Sequence, residues 1–333
     1  MKNKKKILFA VLNWGLGHAT RSWELINNLL NEGNEVILAS DGVAKEFLMK
    51  EFPQLKMFEV PSYNIQYGEK GNILPLIKNG LNTQIAVKRE QVWLKRFLKK
   101  QKVDLIISDN RYGMYCSEIK SIIITHQLNI KVPILENVVN AQNHFWLNRF
   151  HEIWVPDHEN TLSGELSQPI PSKLMNKVKE IGWISRFKKS DTASEELILA
   201  IVSGPEPQKT ILIEKLVPIL KNLDHKVILY TGNPNENKEE IHGLLTIKSH
   251  DSTPEFIKNI QKAKVIIGRP GYSSIMDYWV LQKKMILIPT PGQFEQLYLA
   301  KHLFVNHNVT YTQQSLLSFA TLRRLLCENR IEI

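Results

Sequence analysis

The chain has 333 residues, 43% hydrophobic and 23% charged, a balance that suits two globular domains of ordinary size and excludes disorder, collagen and small disulfide-stapled scaffolds. Its net charge of +10 is spread over both halves rather than gathered in a tail, which argues against nucleic acid and suits an anionic small substrate or an anionic membrane surface. Two cysteines, Cys116 and Cys327, are too few for a disulfide framework or a cysteine-built zinc site, so a cytoplasmic setting is expected.

Lys4 to Lys6 lead into the apolar run from Ile7 to Leu12, which is far short of the ~18 to 20 residues that cross a bilayer. The run stops at Asn13 with no small-x-small site behind it, so it is expected to be a first β-strand and not a leader. Strand-length apolar runs recur at 35–39, 57–60, 104–108, 121–125 and 152–155. Helical patterns at 18–31, 43–51, 73–101 and 135–149 separate them. Strands alternating with helices predict a parallel sheet covered on both faces.

The rhythm breaks after Pro156, in a stretch rich in Ser, Pro, Gly and Asn, and again in the charged segment from Arg186 to Glu196. It restarts with strands at 197–202, 225–230, 244–248, 264–267 and 284–289, separated by helices at 208–222, 255–261, 272–282 and 295–305. The expected fold class is therefore α/β, with two doubly wound, Rossmann-like domains: 1–165, a connection at 166–190, and 191–333. In such sheets ligands bind where the strands end.

Each strand-to-helix turn carries residues suited to chemistry. After the first strand, Asn13-Trp14-Gly15-Leu16-Gly17-His18-Ala19-Thr20-Arg21 places Gly15 and Gly17 where backbone can approach a ligand, and His18 where a proton can be accepted near neutral pH. The strand ending in Ser108-Asp109-Asn110-Arg111 puts Asp109 on the same sheet edge, placed to hold His18 in one tautomer. In the second half, Ser203 and Gly204 open a turn that offers amide donors to a phosphate. Gly268-Arg269-Pro270-Gly271-Tyr272-Ser273-Ser274 offers Gly271, Ser273 and Ser274 to a pyrophosphate, and Asp277 one turn later suits ribose hydroxyls. In Pro289 to Gln296, Gln293 and Gln296 carry both donors and acceptors, which suits a sugar.

Taken together, these loops resemble those of the GT-B glycosyltransferases of family 28, typified by the N-acetylglucosaminyltransferase that makes lipid II. The similarity is strongest to a family-28-like group carrying Trp14 to Arg21, Ser108 to Gly113, Ser203 to Gln208, Arg269 to Asp277 and Pro289 to Gln296 in this order. The resemblance implies two Rossmann-like domains facing a cleft, with the acceptor on the N-terminal domain and a nucleoside diphosphate sugar, expected to be UDP-linked, on the C-terminal one. It implies that Arg269 belongs to the donor loop, that Asp277 binds ribose and that a glutamine near Gln296 binds the donor sugar. His18 and Asp109 are similar to the His-Asp dyad with which inverting GT-B enzymes deprotonate an acceptor hydroxyl. The lipid II enzyme differs in a longer first glycine loop and in having Glu at the ribose position.

No zincin helix, Asp-x-Asp metal motif at a strand end or Walker A sequence is present, so neither a metal nor a cofactor is expected. The expected activity is inverting sugar transfer to a hydroxyl acceptor, which the resemblance allows to be lipid-linked and part of the cell envelope. A UDP-sugar 2-epimerase of the same fold, a sugar-nucleotide binder without turnover, and an NAD-dependent dehydrogenase built on Gly15, Gly17 and Asp41 are the other readings. Residues 73–102, with eight basic residues, one acid and the apolar Trp93, Leu94, Phe97 and Leu98, match a helix lying on the inner face of the plasma membrane. The same pattern fits an ordinary helix with its apolar side in the core.

Overall fold

The computed structural model describes residues 4–63, 74–188, 195–233, 236, 238–307 and 309–329. The chain divides into two compact units, Met1–Arg186 and Phe187–Ile333.

The first unit runs β1 (Lys6–Val11), α1 (Gly17–Asn31), β2 (Glu35–Ser40), α2 (Gly42–Glu51), β3 (Lys56–Glu59), α3 (Leu74–Lys100), β4 (Leu105–Asp109), β5 (Ser121–Ile124), α4 (Glu136–Leu147), β6 (Glu152–Val155) and β7 (Val178–Glu180). Its seven strands lie in the order β3-β2-β1-β4-β5-β6-β7 and every pairing is parallel. The residues of β4 and β5 are all buried, as central parallel strands must be, which is why they read as unbroken apolar runs. Leu8, Ala10, Ile37 and Ile106 pack with Leu94 and Phe97 of α3.

Two expectations change here. β7 pairs in register with β6, Ile153 opposite Val178 and Val155 opposite Glu180, so the first unit continues past residue 165 to Arg186. Val178–Glu180 is a three-residue edge strand with two exposed positions and carries no apolar signal. Four apolar residues of α3 are also taken: Leu94 and Phe97 are buried, and Trp93 and Leu98 pack on the same cluster. The exposed side of α3 carries Lys88, Arg89, Lys95, Arg96, Lys99 and Lys100, together with Gln84, Ile85 and Val92. Residue 73 of the expected basic helix, residues 189–190 of the expected connection and residues 191–194 of the expected second domain lie outside the described residues.

The second unit runs β8 (Leu197–Ile201), α5 (Gln208–Leu220), β9 (Lys226–Tyr230), β10 (Glu239–His242), β11 (Leu245–Lys248), α6 (Thr253–Lys262), β12 (Val265–Gly268), α7 (Tyr272–Val280), β13 (Lys284–Leu287), α8 (Phe294–His307), β14 (Thr310–Tyr311) and α9 (Phe319–Glu328). The sheet order is β10-β11-β9-β8-β12-β13-β14, parallel apart from the β10–β11 hairpin. Its core joins β8, β9, β12 and β13 to Leu212, Leu216 and Leu220 of α5 and Leu322, Leu325 and Leu326 of α9.

Both sheets are doubly wound, and each has one place where the strand order reverses. That place is between β1 and β4 in the first unit and between β8 and β12 in the second. Chains leaving such a pair diverge to opposite faces and open a crevice at the carboxyl edge.

Candidate active site

In the first unit the reversal point is occupied by His18 and Asp109. Val11 and Asp109 are register partners at the ends of β1 and β4. Beyond Val11 the chain turns through Gly15, whose φ of 72° is open to glycine at no steric cost, and α1 begins at Gly17. Beyond β4 the turn is fixed by Ser108, whose hydroxyl donates to the Arg111 carbonyl at 2.7 Å and accepts from its N–H at 3.0 Å. Asn110 takes the left-handed conformation between them, with φ 59°. Buried Arg111 then ties the two strand ends together, its Nε donating to the Val11 carbonyl at 2.7 Å.

This geometry brings His18 Nδ1 to 2.7 Å from Asp109 Oδ1. A carboxylate can only accept, so the hydrogen lies on Nδ1 and the lone pair on Nε2. The Asp109 side chain is wholly enclosed while 13% of the His18 side chain remains exposed. Arg21, one turn after His18 on α1, donates from Nε to Asp109 Oδ2 at 2.8 Å and from Nη2 to Oδ1. Ser22 Oγ donates to Oδ2 at 2.8 Å. Burial pushes the Asp109 carboxyl up, but the Arg21 guanidinium and then His18 outweigh it and hold the group well below the usual carboxylate range. Burial, followed by the Arg21 charge, pushes His18 below the ordinary histidine value against the pull of Asp109.

A second charged cluster braces the same edge. Arg111 pairs with Asp41 at the end of β2 and, at 2.6 Å, with Glu90 of α3. Glu90 accepts from Tyr63 Oη at 2.7 Å and from the Gly113 N–H at 2.9 Å. Burial pushes Glu90 upward, and Arg111 opposes it. Sequence reading missed this cluster because its members are far apart along the chain. It also missed the role of Arg21, although the three-residue spacing from His18 was a visible sign that both share a helix face.

In the second unit the turn residues after β8, β12 and β13 lie on one sheet edge. Gly268 ends β12 so close to β8 that a Cβ there would come within 3.2 Å of the Ile201 carbonyl. Gly204, with φ 114°, lies where an added Cβ would stand 3.9 Å from Thr290 Oγ1. Thr290 Oγ1 is buried without a protein partner, and the Thr290 N–H donates to Gln296 Oε1 at 2.8 Å. Gln296 therefore has its amide Nε2 to offer a ligand. Gln293 is half-buried at the start of α8, and its N–H closes the turn onto the Thr290 carbonyl at 3.1 Å.

Arg269 is 2% exposed and fastens these loops together. Its Nη1 donates to the carbonyls of Ile288 and Pro289 at 3.0 and 3.2 Å, and its Nη2 to the Gln208 carbonyl and Gln314 Oε1 at 2.9 and 2.6 Å. Burial lowers its pKa to about 10. With both terminal nitrogens spent on protein acceptors and Nε buried without a partner, Arg269 shapes the loop from beneath. Gly271 caps α7, whose first turn carries half-buried Ser273 and Ser274 and whose second carries half-buried Asp277. Ser203 and Gly204 are exposed.

Known proteins resemble this chain in sequence and in fold. Residues 199–329 match the glycosyltransferase family 28 C-terminal domain. Over 288 residues, covering 82% of this chain and 75% of the relative, the sequence is 28% identical to the UDP-N-acetylglucosamine--N-acetylmuramyl-(pentapeptide) pyrophosphoryl-undecaprenol N-acetylglucosamine transferase of Clostridium botulinum. Among solved structures, MurG of Acinetobacter baumannii superposes with a TM-score of 0.60 at 15% identity, covering 98% of this chain and 92% of that one. Arabidopsis thaliana UGT89C1 in complex with quercetin gives 0.70 at 12% identity, covering 99% and 91%. Residues 199–329 thus carry a family 28 C-terminal domain, and the two doubly wound units have the GT-B glycosyltransferase fold.

Proposed function

We propose that this protein transfers a sugar from a UDP-linked donor to a hydroxyl acceptor with inversion, using His18 as the base. The observation that carries this reading is the 2.7 Å contact between His18 Nδ1 and the enclosed Asp109 at the strand-order reversal. Nε2 takes the proton of the acceptor hydroxyl as the oxygen attacks the anomeric carbon. The bond from that carbon to the diphosphate breaks, and UDP leaves with the electron pair. Asp109 keeps the imidazole in the tautomer with Nε2 free and favours the imidazolium that forms.

The donor falls to the second unit. The amide start of α7 at Gly271 with Ser273 and Ser274, and the turn at Ser203 and Gly204, meet the charge developing on the leaving diphosphate. Asp277 accepts from the ribose hydroxyls, and Gln293 and Gln296 hold the sugar. Gly15 and Gly17 let the first loop come close to the bound substrates. Amide and hydroxyl donors fill the part that a divalent ion plays elsewhere, so activity is expected to survive EDTA. Loss with EDTA that Mg²⁺ or Mn²⁺ restores overturns that part of the reading.

The name of the botulinum relative makes UDP-N-acetylglucosamine the first donor to try and a polyprenyl pyrophosphoryl sugar the first acceptor. The test is UDP release with and without acceptor, in the wild type and in His18→Ala. A fall of roughly 10² to 10⁴ in turnover with donor binding retained supports the base assignment. Turnover near wild type removes His18 from the mechanism, and formation of an epimerised donor without acceptor replaces transfer with epimerisation.

A further inference from the structure

Two charged groups crowd one side of the His18 ring. Besides Asp109 Oδ1 at 2.7 Å, Nη2 of Arg21 lies 2.9 Å from the same Nδ1. That nitrogen already directs its hydrogen at the carboxylate, so it has no lone pair for the guanidinium, and the Arg21–His18 approach is a contact of two donors. Arg21 is 3% exposed and Asp109 is wholly buried, so water screens neither. In a simple histidine–carboxylate pair, the carboxylate charge is free to hold the proton that the imidazole receives. Here a permanent cation has already claimed it.

We propose that Arg21 is a positioning residue for the transfer step: by bonding both oxygens of Asp109, it leaves that carboxylate to orient the imidazole through Nδ1 while loosening the dyad's grip on the proton accepted at Nε2. This rests on the reading of His18 as the base. The charged and titratable groups that bear on His18 are Arg21 from its own helix, Asp109 from the end of β4, and His126 from the segment after β5, which acts in the same direction as Arg21. A base of this kind is neutral at rest over a wider acid range and gives its proton up readily once the product has formed.

The test is titration of the His18 Cε1–H signal by NMR, assigned by its loss in His18→Ala, alongside the pH profile of UDP release from UDP-N-acetylglucosamine. Arg21→Met is expected to raise the His18 midpoint by about one unit or more and to carry the acid limb of kcat/KM upward with it. Arg21→Lys keeps the charge but not the two-pronged grip, and is expected to leave the midpoint near wild type while kcat falls. Should Arg21→Met fail to fold, the wild-type titration decides alone, since a midpoint above the ordinary value of about 6.5 contradicts the proposal. A uniform loss of turnover at every pH with the midpoint unmoved assigns Arg21 a purely structural role and overturns the inference. If His18→Ala turns over normally, it is the base assignment that fails. An inactive His18→Ala with an unmoved Arg21→Met midpoint leaves the base standing and removes only the role of Arg21.

Discussion

Asp109 is a full negative charge sealed inside a sheet edge, tolerable only because Arg21, Ser22 and His18 all donate to it. Asp109→Asn keeps the shape and removes the charge, so turnover should fall with the loss of the oriented tautomer. The fold should lose about 3 to 5 kcal/mol in urea unfolding, because the buried Arg21 loses the negative charge that balances it. An unchanged unfolding midpoint would mean that water reaches the pair. The pH dependence has a definite sign. His18 titrates lower in the folded chain than in the unfolded one, so between those two values the unfolded state binds more protons. Stability therefore rises with pH through that window and is complete above about 6.5, the unfolded value. Asp109, held low, adds stability that is present above its unfolded value near 4 and disappears only in stronger acid. A separate test concerns Gly113, where a Cβ would meet Glu90 Cβ at 2.5 Å and the Val87 carbonyl at 2.6 Å. Gly113→Ala should cost about 1 to 3 kcal/mol by forcing α3 away from the turn after β4. At this scale the sequence offered His18 and Asp109 as candidates, because one follows the turn after an obvious strand and the other ends one, but not Arg21, Glu90 or Tyr63. Those act through contacts that only the folded edge creates.

Among the elements, α3 shows how one pattern can support two readings. A basic helix with Trp93, Leu94, Phe97 and Leu98 reads equally as a membrane helix or a core helix. The packing of these side chains against Leu8, Ala10 and Ile106 decides for the core. The remaining face presents Lys88, Arg89, Lys95, Arg96, Lys99 and Lys100 around half-exposed Ile85 and Val92, and the only acid of the helix, Glu90, is buried against Arg111. Contact with an anionic bilayer would thus be electrostatic, worth about 1 kcal/mol per basic residue near the surface. Changing Lys95, Arg96, Lys99 and Lys100 to Gln should weaken sedimentation with phosphatidylserine vesicles more than about a hundredfold at low salt. High salt should do the same to the wild type. A wild type that stays in the supernatant at low salt means that the stripe serves only solubility. Edge strands were the least legible elements. All four residues of β10 are exposed, and the strand exists because the turn at Gly243, φ 61°, folds it back on β11. By contrast α9 has a cap at Ser318, which accepts from the Thr321 N–H at 3.1 Å, and buries Leu322, Leu325 and Leu326. Its start signal and spacing were in plain view beyond the last expected helix.

For the molecule as a whole, each unit has its own sheet, its own core and its own reversal point, so binding at one can be read as stability of the unit that carries it. The doubly wound pattern was legible because parallel strands buried on both faces must be apolar throughout, whereas the unit boundary was not, because β7 is too short and too polar to register. If Phe187–Ile333 holds the donor, UDP alone should stabilise the protein without any acceptor. A ligand at a hundred times its Kd adds about 2.7 kcal/mol. For a unit of this size that amounts to a rise of roughly 5 to 10 °C in the Tm of the affected transition. Asp277→Ala, which takes away the acceptor proposed for the ribose hydroxyls but lies outside the buried cluster of the second unit, should leave the melting of the unliganded protein nearly unchanged and shrink the UDP shift. His18→Ala should leave the shift intact, since its unit is not the one that binds donor. A folded Asp277→Ala variant that keeps the full shift would move the ribose to another acceptor on the edge, and a wild type indifferent to millimolar UDP would take the donor class itself away.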